Sequence, residues 1–75
     1  MYNLVGIQNV NYTAKSGSQV TGTRLFATFK DEKIKGLGTE AIWVPNTVDI
    51  PKLEPNAAFD VSYNRYGRVS AIIAL

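Results

Sequence analysis

Apolar and polar residues alternate along most of this chain. No window repeats apolar residues at helical spacing without an interrupting Gly, Pro or β-branched cluster. Alternation with a period of two places successive side chains on opposite faces of a strand, so the pattern predicts an all-β chain. Tyr2 to Tyr12 reads as a first strand, with Val5 and Ile7 on one phase and Val10 and Tyr12 on the other. The phase changes around Gln8-Asn9, which predicts a bulge or bend at that point. Lys15-Ser16-Gly17-Ser18 reads as a turn, because Gly and Ser tolerate the backbone angles of a reversal. The second strand, Val20 to Lys30, is the most clearly two-faced: Leu25, Ala27 and Phe29 lie on one side, and Arg24, Phe26, Thr28 and Lys30 on the other.

Asp31 to Gly38 follows as a polar loop, and Glu40 to Val44 as a third strand too apolar to assign its faces. Pro45 ends that strand, since proline cannot donate to a ladder. Asn46 to Asn56 is a connection containing Pro51 and Pro55, with room for a short helical turn. In the fourth strand, Ala57 to Tyr63, Phe59, Val61 and Tyr63 point one way. Asn64-Arg65-Tyr66-Gly67 is a tight hairpin turn in which Gly67 suits a positive φ. The last strand, Arg68 to Leu75, is expected to direct Val69, Ala71, Ile73 and Leu75 inward and to leave Ile72 outside. Five short antiparallel strands without a helix of consequence expose edges, which closure removes. The expected fold is therefore all-β, a small five-stranded antiparallel OB-like barrel over residues 1–75, with an SH3-like barrel as the alternative.

Composition narrows the chemistry. Seventy-five residues make one domain, and the absence of Cys and His removes thiol nucleophiles, disulfides, zinc fingers and imidazole catalysis. A cysteine-free chain is compatible with a reducing cytoplasm. No apolar run approaches the ~18 residues that cross a bilayer, and the N-terminus carries no basic segment leading into an apolar stretch. The expectation is a soluble, unprocessed protein without a membrane partner. A core this small supplies only ~3–5 kcal/mol, so self-association as a homodimer is expected to supplement it.

Motifs for phosphate loops, nucleophile elbows and zinc proteases are missing. The carboxylates are Asp31, Glu32, Glu40, Asp49, Glu54 and Asp60. The adjacent Asp31-Glu32 pair sits in a lysine-rich loop, where a solvated loop end is the expected role. The chain is read as a non-enzyme without a cofactor or metal.

Net charge is only +2, but its distribution is uneven. Residues 1–30 carry Lys15, Arg24 and Lys30 and no acid; residues 31–60 hold all six acids; residues 61–75 add Arg65 and Arg68. The uncompensated bases thus belong to the second strand and the two hairpins, which a small barrel can bring to one side. Arg24 and Phe26, two residues apart, leave the same face of a strand. Single-stranded nucleic acid calls for this pairing, since cations track phosphates while a ring stacks under any base. Phe26 has a competing role as cover for a second core or a subunit contact. Tyr66, between Arg65 and Arg68 at a hairpin tip, is a second such pairing, with a dimer contact as its rival. Tyr12 reads more simply as a core tyrosine. Trp43 stays open between core, interface and binding surface, and Lys33 and Lys35 read as a solvated loop face.

The run Tyr12-Thr-Ala-Lys-Ser-Gly17, the glycine at 22, the basic–x–aromatic Arg24-Leu-Phe26 and the closing Tyr66-Gly67 before an alternating strand resemble the filamentous-phage helix-destabilising proteins of the gene V type. The resemblance implies an OB-like barrel that dimerises and coats single-stranded DNA with little sequence preference, in phage or mobile-element replication within a bacterial cytoplasm. By the same resemblance, Lys15 matches a basic residue of the first hairpin, Arg24 and Phe26 a basic and an aromatic DNA contact, and Tyr66 an aromatic reaching DNA near the dimer axis. Thr28 replaces an apolar contact of the family, Val20 a basic residue, and the Asp31–Gly38 hairpin lacks the family's tyrosines. The expected ligand is single-stranded DNA, with RNA as the other candidate strand chemistry. It would be held by Lys15, Arg24, Phe26, Lys30, Arg65, Tyr66 and Arg68. The competing reading is a protein-interaction module that uses Phe26, Tyr66 and Trp43 as an aromatic groove for extended proline-rich peptides.

Overall fold

A computed structural model describes residues 1–75, all of them in strands, turns and connections. Five strands form one antiparallel sheet: β1 (Tyr2–Thr13), β2 (Gln19–Phe29), β3 (Gly38–Pro45), β4 (Ala58–Tyr63) and β5 (Val69–Ala74). The spatial order is β3-β2-β1-β4-β5. β1 carries the sheet around a corner, pairing with β2 over most of its length but with β4 only at its first residues, Tyr2 opposite Phe59 and Asn3 opposite Ala58. Beyond the reach of β3 and β4, the ends of β1 and β2 continue as a two-stranded arm that turns at Gly17, whose φ is +87°.

The core lies on the concave side, where Leu4, Leu25, Ala27, Ile42, Val44, Phe59 and Ile72 are buried. The alternation of β2 emerges as expected, with Leu25 and Ala27 in the core and Phe26 outside. The segment between β3 and β4 contains no helix. It lies across the open side of the sheet and contributes Leu53, with Val48 and Ile50 packed beside it. Its end is tied to β1: Asn56 N donates to Leu4 O and Leu4 N to Ala57 O.

Three expectations are corrected. The sheet does not close into a barrel: β3 and β5 approach each other but share no ladder, and both remain edge strands. Side chains of Trp43, Tyr63, Arg68 and Val69 line the gap where backbone pairing would have closed it. Pro45 at one end of β3 and the six-residue length of β5 limit both edges as templates for further pairing.

The irregularity in β1 falls between Leu4 and Gly6, not at Gln8-Asn9. Leu4 and Ile7 are three apart and would face opposite ways in a regular strand. With Val5 as the extra residue, both stand on the side of Ala27 and Leu25, so Val5 and Ile7 do not share a phase.

The third correction concerns β5. Ser62 pairs with Ala71 but Tyr63 with Val69, so Ser70 is an extra residue that resets the phase. Ile72 is therefore opposite Val61 and buried at 7% exposure, while Ile73 is 45% exposed, the reverse of the expected arrangement; Leu75 also lies outside.

Candidate nucleic-acid interface

Residues directly opposite in an antiparallel ladder share a face, so register alone composes the convex surface of β1, β2 and β3. Three cross-strand rows follow: Gly6–Phe26–Ala41, Gln8–Arg24–Trp43 and Val10–Gly22–Pro45. Phe26 is 38% exposed and borders a hollow of about 370 Å³ with Val5, Thr28, Thr39, Glu40 and Ala41. Its neighbour in the row is Gly6, whose missing side chain leaves one side of the ring uncrowded. Arg24, half-buried, lies between Gln8 and Trp43 and shares a second hollow with Tyr12, Val20 and Trp43. Tyr12 is thus an exposed residue of the arm and not a core tyrosine.

Electrostatically, this surface is uncommitted. The one ion pair of the protein joins the Met1 amino group to Asp60, 3.1 Å apart. Lys15, Arg24, Lys30, Arg65 and Arg68 consequently have no carboxylate partner, and their charge is available to an anion. Glu40 is the acidic neighbour of the face. Its Oε2 accepts a 2.9 Å hydrogen bond from the Tyr2 hydroxyl, and the Tyr2 ring stacks on Phe59 and meets Phe29 edge-on. Burial, reinforced by the hydrogen bond the hydroxyl donates to Glu40 and by that carboxylate's charge, pushes the Tyr2 phenol well above its ordinary value.

The β4–β5 turn is built around Asn64. Its Oδ1 accepts the backbone N–H groups of Tyr66 and Arg68, and Gly67 takes the positive φ of +77°. This leaves Tyr66 at the tip, 73% exposed, with the Arg65 guanidinium 5.1 Å from its ring centroid. At the base of the same turn, Arg68 lines a groove of about 350 Å³ along the open seam, with Trp43, Pro45, Tyr63, Val69 and Glu40.

The bases expected on one side come together only in part. Arg24 and Arg68 stand on either side of Trp43, bordering the hollow and the groove that this indole shares. Lys15 and Lys30 lie just outside opposite ends of β2, an 11-residue strand. At roughly 3.3 Å per residue they are on the order of 35 Å apart, so one short ligand segment cannot meet both. Phe26, Trp43 and Tyr66 do not line a common hollow either.

Trp43 is the residue that sequence reasoning left unassigned. Once β3 is paired to β2, the apolar run resolves into Ile42 and Val44 inside and Ala41 and Trp43 outside. Asp31, in the lysine loop, has a local role: its Oδ1 accepts the Lys33 N–H and its carbonyl the Ile34 N–H. Comparison with family models, curated proteins and solved structures finds no match for this chain.

Proposed function

We propose that this protein binds single-stranded DNA with little sequence preference. The observation that carries the reading is the convex face of β2, where unpaired Arg24 and solvent-facing Phe26 leave the strand side by side, with the Arg65–Tyr66 pair displayed on the β4–β5 turn. Cations neutralise phosphate while the rings stack on bases, each stack contributing ~1–3 kcal/mol irrespective of base identity. The strand order supports an OB-like assignment: β1 serves both halves of the sheet, and OB domains are partly open five-stranded barrels. Such domains bind oligonucleotides on the face of strands 2 and 3 and on the loops joining strands 1 to 2 and 4 to 5. Arg24 and Phe26, Lys15, and Tyr66 occupy those places respectively.

The working unit is a homodimer. The exposed Ile73 and Leu75 at the end of the chain offer apolar surface to a second copy. The resemblance to gene V-type proteins implies a role in phage or mobile-element replication inside a bacterial cell. Titration of a fluorescent poly(dT) oligonucleotide at several salt concentrations tests the reading. With Lys15, Arg24, Arg65 and Arg68 on phosphates, log K falls with log salt at a slope of about −3. A salt-independent signal, or none, refutes it. A groove along the open seam, with Trp43, Pro45 and Tyr63, favours an extended proline-rich peptide as the second reading. On that reading Arg24→Glu leaves binding nearly unchanged.

A further inference from the structure

The Trp43 indole is set down on a glycine. A Cβ built on Gly22 would meet Trp43 Cζ2 at 2.6 Å and Cη2 at 2.8 Å, so the six-membered ring lies against the backbone of β2 where any other residue would lift it away. One side of the indole is therefore backed by the sheet, while the side chain as a whole stays 36% exposed. Backed on one side and open on the other, a ring is held in place without being covered.

Its surroundings point to what it meets. Trp43 borders the hollow containing Tyr12 and Arg24 and also the seam groove containing Arg68. No other side chain borders both. Neither arginine has an acidic partner. Two free cations flanking one supported aromatic surface repeat the arrangement that phosphate–base–phosphate requires. Phe26, by comparison, lies in a separate hollow that no basic side chain borders, while Glu40 borders both that hollow and the seam groove.

We infer that Trp43 is a base-stacking platform, and that a single strand crosses β3 over it, passing from Arg24 to Arg68. This rests on the single-strand reading above and adds a residue and a direction to it. Gly22 is the positioning residue: its missing side chain lets the indole rest against β2, and it touches no ligand. The path joins the convex face of β2 to the β4–β5 turn within one subunit, across the seam that the open sheet leaves.

Trp43 is the only tryptophan, so its emission reports on this position alone. The full-length protein is titrated with poly(dT) while two signals are read: the anisotropy of a label on the oligonucleotide, and Trp43 emission excited where tyrosine does not absorb. The expected result is binding by anisotropy together with saturating quenching of Trp43 over the same concentration range. Trp43→Ala weakens binding roughly 5- to 150-fold, the equivalent of one lost stack, and Trp43→Phe restores most of it. Should Trp43→Ala fail to fold, the quenching of the wild-type protein still decides. Binding by anisotropy with unchanged Trp43 emission overturns the platform and leaves the single-strand reading standing. Absence of binding by anisotropy overturns both. A proline-rich peptide that shifts Trp43 emission where poly(dT) does not assigns the groove to peptide and also overturns the inference.

Discussion

Gly22→Ala tests the central contact of the convex face without removing any group that could touch a ligand. The added methyl would sit 2.6 Å from Trp43 Cζ2 and 2.7 Å from the Val44 carbonyl oxygen. An indole can swing aside, but the oxygen belongs to the β3 backbone, so the ladder around the Gly22–Pro45 pair must move as well. Overpacking of this kind costs about 1–3 kcal/mol. Replacing glycine also stiffens the unfolded chain, which returns about 0.4–1 kcal/mol. The net loss is on the order of 1–2 kcal/mol, a large part of the ~3–5 kcal/mol that a core of this size supplies. For a domain of this length each 1 kcal/mol lowers Tm by about 4–8 °C.

Gly6→Ala is the internal control. Its new Cβ would meet only Phe26 Cδ2, at 3.7 Å, an ordinary van der Waals contact. Thermal unfolding followed by circular dichroism, with Trp43 emission recorded in the folded state, reads both variants. The expected outcome is a lower Tm and shifted emission for Gly22→Ala, against an unchanged or slightly higher Tm for Gly6→Ala. If Gly22→Ala matches the wild type in both signals, the indole does not rest on β2 and the reasoning fails.

Three further outcomes follow from the same geometry. Phe26→Ala weakens single-strand binding by ~1–3 kcal/mol on poly(dT) and mixed sequences alike, checked by anisotropy; a loss confined to one base composition would argue against stacking. Phe59→Ala, which empties the largest fully buried side chain, costs ~3–5 kcal/mol and leaves the chain largely unfolded by circular dichroism at room temperature. The Tyr2 phenol is raised on folding from an unfolded value of 10.0, so its contribution is fully present below pH 10 and is lost as pH climbs through the higher folded value. Urea midpoints measured from pH 9 upward should show a steeper alkaline decline in the wild type than in Tyr2→Phe. At neutral pH the variant gives up about 0.5–1.5 kcal/mol with the hydrogen bond to Glu40.

The alternation of Leu25, Ala27 and Phe29 against Arg24 and Phe26 was legible because β2 lies between two strands and is covered on one face only. Its period of two runs uninterrupted. The turns at Gly17 and Gly67 were legible because both need a positive φ, which glycine supplies. The faces of β1 and β5 were not. An extra residue at Val5 or Ser70 moves every later side chain to the opposite face, and Ile72-Ile73 offers an apolar residue to either phase. Local sequence contains nothing that chooses between them, whereas the neighbouring strands do.

Residue order alone thus determined the number of strands, their antiparallel turns, the two faces of β2 and the rings and cations available for display. The tertiary structure decided which of these meet. Long-range pairing put Trp43 over Gly22, 21 positions away in register with Arg24, and drew Arg68 to the far side of the same indole. It also left the seam between β3 and β5 open, with no ladder between the two edges and a groove running along them. Pairing between distant strands rewards the whole sheet at once, and no short window of sequence records the balance that settles it.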